Sequence, residues 1–208
     1  ERLRREAPAW GVTTLDAEAC GGASPFRGLV ATILSQRTLD RHTEQGTRRL
    51  FARARTPRGM LRLPAGEIAR LIFPVGFHRT KARTIRRVCR DLLDRFGGEV
   101  PSDLDALLTL PGVGRKTANL VLTHGFGLPG VCVDTHVHRI MNRLGFVCTR
   151  HPDETEMALR RTLPRDLWRE SNGLLVAFGQ TVCRPLSPHC SRCPVARDCR
   201  RVGVERAR

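Results

Sequence analysis

Apolar side chains recur at three- and four-residue intervals along most of the chain, a pattern that predicts helices. The clearest run covers residues 80–96, where Ile85, Val88 and Leu92 share one face before Gly97-Gly98. Ser24, Asp40, Ser102 and Asp134 are predicted to cap helix N-termini. The predicted helices cover 25–34, 41–52, 57–63, 65–72, 80–96, 103–109, a segment around Lys116 that ends by 125, 135–144, 152–163 and 166–182. Since no strand pairing or repeat is evident, the sequence predicts an all-α protein.

The charge of the chain is strongly positive. Its 208 residues carry a formal net charge of +16, and the pI is about 11.3. Such a charge indicates a polyanionic partner, with nucleic acid as the first candidate and a membrane surface as the rival. No segment approaches the ~20 apolar residues of a membrane span, and residues 1–6 contain no apolar signal region. We therefore expect an intracellular nucleic-acid-binding protein with one large or two modest domains.

A glycine-rich turn at Leu110–Gly114 separates two predicted helices and has the signature of a helix-hairpin-helix motif. Its backbone N–H groups lie at a helix N-terminus, where a phosphate is favoured. Lys116 follows inside the second helix, and it is one of only two lysines among 36 basic residues. A lysine, unlike an arginine, can become a neutral amine and attack carbon. The position therefore predicts either a phosphate contact or a Schiff-base nucleophile.

Asp134 lies at the start of another predicted helix, within Val133-Asp134-Thr135-His136. An aspartate at such a position is ordinarily an N-cap. Alternatively, its carboxylate faces the Lys116 site, where it could assist deprotonation and stabilise a developing oxocarbenium ion. His136 and His138 are two residues apart, so a helix directs them differently and a metal pair is not expected. We interpret them as packing or phosphate-contact residues.

The eight cysteines fall into two sets. Scattered residues with mostly apolar neighbours are expected to be small core side chains; these are Cys20, Cys89, Cys132 and Cys148. The second set has the spacing Cys-x6-Cys-x2-Cys-x5-Cys and comprises Cys183, Cys190, Cys193 and Cys199. Zinc is one candidate for such a set, but zinc ribbons usually contain two separated Cys-x2-Cys pairs. A single compact loop favours a cubane iron–sulfur cluster, and nearby Arg184 and Arg192 are expected to face phosphate.

Two loop tips complete the candidate chemistry, residues 35–40 and 74–81. An exposed Phe77 would suit a wedge in a base stack, although a phenylalanine is more commonly a core residue. Lys81 is the rival amine, but its position in an arginine-rich helix predicts a phosphate contact.

Together the hairpin segment Leu110–Asn119, the Val133–His136 segment and the four-cysteine spacing resemble the endonuclease III family of DNA base-excision enzymes. The resemblance extends from about Ser24 to Cys199. It implies a six-helix barrel at 19–128 with the hairpin at 107–119, and a [4Fe–4S] domain formed by 1–18 plus 129–208. It also implies that an oxidised pyrimidine is flipped out of the duplex, that Lys116 attacks C1′, and that β-elimination cuts the strand 3′ to the lesion. Asp134 would be the essential carboxylate.

The resemblance also implies a partner, a location and a set of DNA contacts. The partner is double-stranded DNA with damaged pyrimidines or abasic sites, bound by a monomer in the bacterial cytoplasm at the nucleoid. Two departures concern the DNA-facing loops. Arg37 stands where the family often has glutamine, and Phe77-His78 stand where some relatives have leucine and tyrosine. The expected DNA contacts are Gln36, Arg37, Phe77, His78, Lys81, Leu110, Gly112, Val113, Gly114, Arg115, His136, Arg184 and Arg192.

Two other functions fit parts of the sequence. A monofunctional glycosylase of the same superfamily, such as a mismatch adenine glycosylase, typically lacks the lysine that this chain has at Lys116. A non-catalytic iron–sulfur DNA-binding protein would need neither Lys116 nor Asp134. The presence of both residues therefore favours a bifunctional glycosylase and lyase over these alternatives.

Overall fold

A computed structural model of the protein describes residues 1–10 and 24–208. These residues form helices and loops without a strand, which confirms the predicted all-α fold class. They fall into two compact units, one made of residues 24–128 and the other of residues 1–10 with Pro129–Arg208. No helix in these ranges is long and apolar enough to cross a bilayer.

The described residues contain eleven α-helices, which we number in chain order. They are α1 (Arg2–Glu6), α2 (Pro25–Ser35), α3 (Asp40–Arg53), α4 (Pro57–Arg62), α5 (Ala65–Ile72), α6 (His78–Phe96), α7 (Leu104–Leu108), α8 (Arg115–Leu120), α9 (Thr135–Leu144), α10 (Pro152–Thr162) and α11 (Trp168–Thr181). Short 3-10 segments cover Ala7–Trp10, Arg165–Leu167 and Cys190–Arg192, and a π-helical turn at Val121–Gly125 extends α8.

Side-chain caps explain several helix starts and correct two predictions. Ser24 accepts a hydrogen bond from the Arg27 N–H, as expected for an N-cap. Asp103, not Ser102, caps α7, because its carboxylate accepts the Ala106 N–H at 2.8 Å. Asp40 lies inside the first turn of α3 and does not cap it. An acidic side chain in the first turn still stabilises the helix through its dipole.

The unit of residues 24–128 has one apolar core. Helix α2 contributes Leu29 and Ile33, and α6 contributes Ile85 and Val88, all of them almost fully buried. Removing a side chain of this size from water stabilises the fold by about 1.5–3 kcal/mol. The core thus fixes α6 against α2, and these two helices carry the loop tips of the candidate site.

The other unit has its own core around Val137, Ile140 and Phe178. The N-terminal segment belongs to this core, because the Trp10 ring packs against Phe178 with centroids 5.2 Å apart. Arg4 also pairs with Glu170 on α11. Residues 1–10 and 129–208 therefore form one packed unit although they are distant in sequence.

The structure separates the scattered cysteines by burial. Cys89 and Cys132 are buried, as predicted, and burial raises the pKa of Cys89 to about 12. Cys148 is exposed, so its assignment to the core is wrong. It follows the end of α9 in an irregular segment, where neighbouring apolar residues do not imply burial. Cys20 lies outside the described residues.

Candidate functional site

The hairpin turn lies between α7 and α8 in the unit of residues 24–128. Gly112 has φ +77°, a left-handed conformation that favours glycine. A Cβ at Gly112 would also lie 2.9 Å from Thr84 Cγ2 on α6. Both facts explain why the turn has a glycine here. The second glycine, Gly114, is the N-cap residue of α8 and has no side chain that could cover the following amides.

Two residues of this turn that are expected to contact DNA have buried side chains. The side chains of Leu110 and Val113 are 2% and 7% exposed and belong to the core. These two side chains anchor the turn in the core. Gly112 and Gly114, beside Val113, remain exposed. The Val113 N–H is occupied by the Leu110 carbonyl at 3.2 Å. Any phosphate at this turn therefore meets backbone groups of the glycines and of the first turn of α8.

The two lysines of the chain have opposite environments. Lys116 is exposed in the first turn of α8. Lys81 is 7% exposed, and its ammonium donates to Leu34 O at 2.7 Å, Gln36 O at 2.5 Å and Thr38 Oγ1 at 2.9 Å. The prediction that Lys81 contacts phosphate is therefore wrong. All three ammonium protons are used inside the protein, and burial lowers the pKa of Lys81 to about 8.

Lys81 instead organises the two loop tips that the sequence singled out. The loop after α2, which we call the Gln36 loop (residues 36–39), receives two of its hydrogen bonds. Thr38 Oγ1 in turn accepts the Gly76 N–H at 3.1 Å, which ties this loop to the one before α6. The Gln36 amide donates to Gly112 O at 2.9 Å. One hydrogen-bond network therefore links both loops to the hairpin turn.

Two of the loop residues that are expected to contact DNA have exposed side chains. Arg37 is exposed with φ +50°, and Phe77 is 64% exposed with φ +57°. The alternative that Phe77 is a core residue is thus wrong. His78 is partly buried, and its ring packs edge-on against Phe73 with centroids 5.5 Å apart. Non-glycine residues with positive φ are uncommon and persist where surrounding contacts hold them.

Asp134 lies in the other unit and caps α9. Its Oδ1 accepts the N–H groups of His136 at 2.8 Å and Val137 at 2.9 Å. The carboxylate is partly exposed, and the two backbone donors fix its orientation. The preceding Val131–Val133 segment is buried, and the buried Asn172 amide on α11 donates to Cys132 O at 3.1 Å. Asp134 is therefore an N-cap on a firmly held entry segment.

His136 and His138 separate, as expected from their spacing. His136 Nδ1 lies 3.1 Å from Arg139 Nη2, whereas His138 Nδ1 lies 2.7 Å from Thr155 Oγ1. Arg139 also donates to Cys183 O at 2.9 Å and to Gly179 O at 3.2 Å. Burial lowers the pKa of this guanidinium. The predicted phosphate contact His136 is thus part of a network that reaches the first of the clustered cysteines.

The four clustered cysteines line one pocket in this unit. Apolar side chains of α9, of α11 and of the residue after α11 form its wall, including Ile140, Leu144, Phe178 and Val182. Burial raises the pKa of Cys193, and the neighbouring sulfurs raise it further. Two sulfurs have donors, since Arg143 Nη1 lies 3.6 Å from Cys183 Sγ and the Arg201 N–H lies 3.4 Å from Cys199 Sγ. The soft thiol donors and apolar wall fit an iron–sulfur group.

The four cysteine side chains line this one pocket. The expected phosphate-facing arginines Arg184 and Arg192 are exposed beside it.

Sequence reasoning missed three supporting residues. Arg139 and Arg143 hold the cysteine loop by its backbone, the latter through Arg184 O at 2.7 Å. Asn172 holds the segment before Asp134. Because the chain contains so many arginines, the presence of an arginine at a given position does not indicate a structural role. A single asparagine in a helix indicates little more. Only the three-dimensional contacts identify them.

Comparisons with known proteins place this geometry in a family. Residues 30–165 match the HhH-GPD superfamily base excision DNA repair proteins. Endonuclease III of Thermotoga maritima is 49% identical over 175 residues, which is 84% of this chain and 82% of that protein.

Two solved structures of endonuclease III have a fold similar to that of this chain. A non-covalent endonuclease III–DNA complex has a TM-score of 0.84 at 37% identity, covering 96% of this chain and 92% of that one. A trapped covalent endonuclease III–DNA intermediate has the same TM-score at 36% identity, covering 96% and 91%. The predicted family is confirmed. The chain therefore belongs to the endonuclease III family of HhH-GPD base excision DNA repair proteins and is a bifunctional DNA glycosylase and AP lyase.

Proposed function

We propose that this enzyme removes oxidised pyrimidines from duplex DNA with Lys116 as its nucleophile. The observation that carries this assignment is the contrast between the two lysines. A Schiff base requires an amine that a sugar carbon can reach. Lys81 is buried with three internal acceptors, whereas Lys116 is exposed directly after the hairpin turn.

The reaction we propose proceeds in two stages at C1′ of the damaged nucleotide. The neutral Lys116 amine attacks C1′, the bond to the base breaks, and the base leaves with the electron pair and takes up a proton. The sugar ring then opens to a protonated imine with Lys116. Loss of a C2′ proton expels the 3′ phosphate, which cuts the strand 3′ to the lesion. Hydrolysis of the imine releases the sugar from Lys116.

We assign Asp134 the role of the catalytic carboxylate. Its Oδ1 already accepts two backbone N–H groups, which orient the side chain. A carboxylate held in this way can accept a proton or stabilise positive charge that develops on the sugar. The capping role and the chemical role are compatible, because a cap uses oxygen lone pairs that remain in place through the reaction.

We further propose that Cys183, Cys190, Cys193 and Cys199 hold a [4Fe–4S] cluster in a domain formed by residues 1–18 and 129–208. The apolar pocket, the four soft thiol donors and their spacing in a single compact loop support this proposal over zinc. When bound, the cluster would cross-link the loop after α11 and has no step in bond breaking. Arg184 and Arg192 would then present positive charge to phosphate.

The DNA partner follows from the charge and the family. A net charge of +16 supports phosphate-dominated binding, and two endonuclease III structures with a TM-score of 0.84 to this chain contain DNA. We infer that residues 19–128 form the six-helix barrel that carries the hairpin at 107–119. We further infer that the enzyme acts as a monomer on the nucleoid in the bacterial cytoplasm.

Borohydride trapping on a thymine-glycol duplex tests the nucleophile. Wild-type protein should form a covalent adduct, because borohydride reduces the imine to a stable amine. Lys116→Gln should form none at saturating DNA. Arg58→Gln removes the same charge from an exposed position on α4 and should trap normally. Equal trapping by Lys116→Gln and wild type would overturn the assignment.

Iron analysis tests the cluster separately. Purified protein should contain about four iron atoms and absorb near ~400 nm from sulfur-to-iron charge transfer. Cys190→Ser should lower both signals. Cys148→Ser changes an exposed cysteine outside the set and should leave them intact. Stoichiometric zinc without this absorbance would refute the iron proposal.

A further inference from the structure

Helix α6 presents a row of arginines away from its buried face. Arg79, Arg83, Arg87 and Arg90 are all exposed, and their spacing of four, four and three residues places them on one side of the helix. At 1.5 Å per residue, the row extends about 17 Å. The opposite face of α6, with Ile85, Val88 and Leu92, packs in the core.

The row forms one wall of a long surface depression. Two adjoining hollows of about 470 and 500 Å³ share Ala65 and Arg83. No aspartate or glutamate lines either of them. We call the pair the arginine groove; its basic and aromatic lining comprises Arg70, Phe73, His78, Arg79, Arg83, Arg86, Arg87 and Arg90. Charge of one sign in a concave surface concentrates the potential that attracts an anion.

The opposite side of the groove is lined by residues with small side chains, and hydrogen bonds hold the backbone that leads into it. Ala65, Gly66 and Ala69 of α5 line it, and a Cβ at Gly66 would meet nothing within 4 Å. Arg86 fixes the segment before α5, because its guanidinium donates to Leu61 O at 2.8 Å and also to Leu63 O. A ligand backbone can therefore approach the α5 side closely without displacing a side chain.

One end of the groove carries an aromatic ring. Phe73 is 58% exposed, and the His78 ring supports it edge-on at 5.5 Å with an interplanar angle of 85°. An exposed ring of this kind is a platform on which an unpaired base can stack. A base inside a duplex is already stacked and offers no such face.

We propose that the arginine groove binds a single-stranded polynucleotide, with its phosphates along the α6 arginines and one base on Phe73. A length of about 17 Å suits two or three nucleotides of an extended strand. The groove shares His78 with the expected duplex contacts, and its lining includes neither the hairpin turn nor Lys116. It would hold unpaired nucleic acid while a lesion is processed.

The test uses labelled (dT)8 and enzyme saturated with an unlabelled short duplex that carries an abasic analogue. The loaded enzyme should still bind (dT)8. Arg83→Gln/Arg87→Gln should weaken this binding at least about fivefold and lower the slope of log K against log[salt] by about 1.4, from ~0.7 per single-strand contact. Phe73→Ala should weaken it about fivefold or more, because base stacking contributes at least ~1 kcal/mol.

Matched controls separate the groove from bulk charge. Arg150→Gln/Arg161→Gln removes the same charge from exposed positions in the other unit and should leave (dT)8 binding within twofold. The arginine variant Arg83→Gln/Arg87→Gln and the control pair should cut saturating lesion duplex at the wild-type single-turnover rate. Displacement of (dT)8 by the duplex, an equal loss in the control pair, or equally tight binding of an octaglutamate peptide would overturn the proposal.

Discussion

Replacement of Lys81 by methionine should disturb DNA binding far more than it disturbs folding. Methionine matches the lysine side chain as far as Cε and removes the ammonium that donates to Leu34 O, Gln36 O and Thr38 Oγ1. Gln36 O keeps a second donor in the Thr38 hydroxyl, at 3.2 Å. The clearest loss is therefore the donor to the Leu34 carbonyl and the tie across the Gln36 loop.

Two opposing free energies determine the effect on stability at neutral pH. Loss of donors to buried acceptors costs about 1–3 kcal/mol for each acceptor left unsatisfied. Against this, burial lowers the pKa of Lys81 from 10.5 to about 8, which corresponds to a desolvation cost of about 3 kcal/mol for the buried ammonium. Methionine removes that cost. The unfolding free energy at pH 7 should therefore change by no more than about 2 kcal/mol.

The unfolding free energy of the wild type should depend on pH through Lys81. Between pH 8 and 10.5 the unfolded wild-type chain holds a proton on Lys81 that the folded chain has lost, so wild-type stability rises with pH in that window. The gain should reach about 3 kcal/mol relative to Lys81→Met, and below pH 8 the difference should be constant. Urea unfolding of both proteins from pH 7 to 10.5 measures it, because other titrating groups cancel in the difference. Parallel stability curves would refute the reasoning.

DNA binding reports the positioning role. The Gln36 loop loses its tie in Lys81→Met, and ordering even one loop residue on binding costs roughly 1–2 kcal/mol. Affinity for lesion duplex should fall about 5- to 30-fold, measured in a Lys116→Gln background so that no strand is cut. In that background, wild-type Lys81 should also bind more weakly at pH 9 than at pH 7, since the neutral amine has one donor fewer. An unchanged affinity in Lys81→Met would show that the loop does not need this tie.

Two further substitutions separate structural from chemical roles. Asp134→Asn should keep the cap and stability within about 0.5 kcal/mol while turnover falls at least ~100-fold, whereas Asp134→Ala should also lose about 1 kcal/mol; full activity in Asp134→Asn would remove the carboxylate from the mechanism. Gly179→Ala should lower the melting temperature, because its Cβ would lie 2.5 Å from His136 Nδ1 and 2.9 Å from Arg139 Nη2. Gly28→Ala, with open space around the new Cβ, is the control, and equal melting temperatures for the two variants would contradict the predicted clash.

Most helices could be predicted from the sequence, because apolar spacing, capping residues and glycine stops act within a few residues of the helix. The segment 65–72 is a helix as expected, and α6 ends at Phe96 as Gly97 requires with φ +62°. Helix starts were less predictable. Ser102 and Asp103 are both good N-cap residues, and only the three-dimensional structure shows that the Asp103 side chain accepts the hydrogen bond. The Asp134 cap was predictable because aspartate before a regular apolar pattern has one common structural use.

Burial of polar groups could not be predicted from the sequence. Lys81 lies in a row of basic residues, and its burial depends on carbonyls from residues more than forty positions earlier. The same holds for Arg139, whose acceptors belong to a helix and loop far along the chain. Lys116 was easier to single out as a candidate site residue, because the features that define its position, the glycine turn and the helix start, are adjacent in sequence. Long-range contacts therefore limit what spacing and composition reveal about the site.

The packing of Trp10 on Phe178 has a consequence for synthesis. A ribosome makes all of residues 24–128 before any of residues 129–208, so the hairpin unit can fold as soon as its own sequence has emerged. The N-terminal segment must instead wait for α11 before its ring finds a partner. A chain cut short before Phe178 would thus keep a complete hairpin unit and Lys116 while lacking Trp10's partner and the four clustered cysteines. Such fragments would expose an unpaired indole, which makes them candidates for aggregation or degradation.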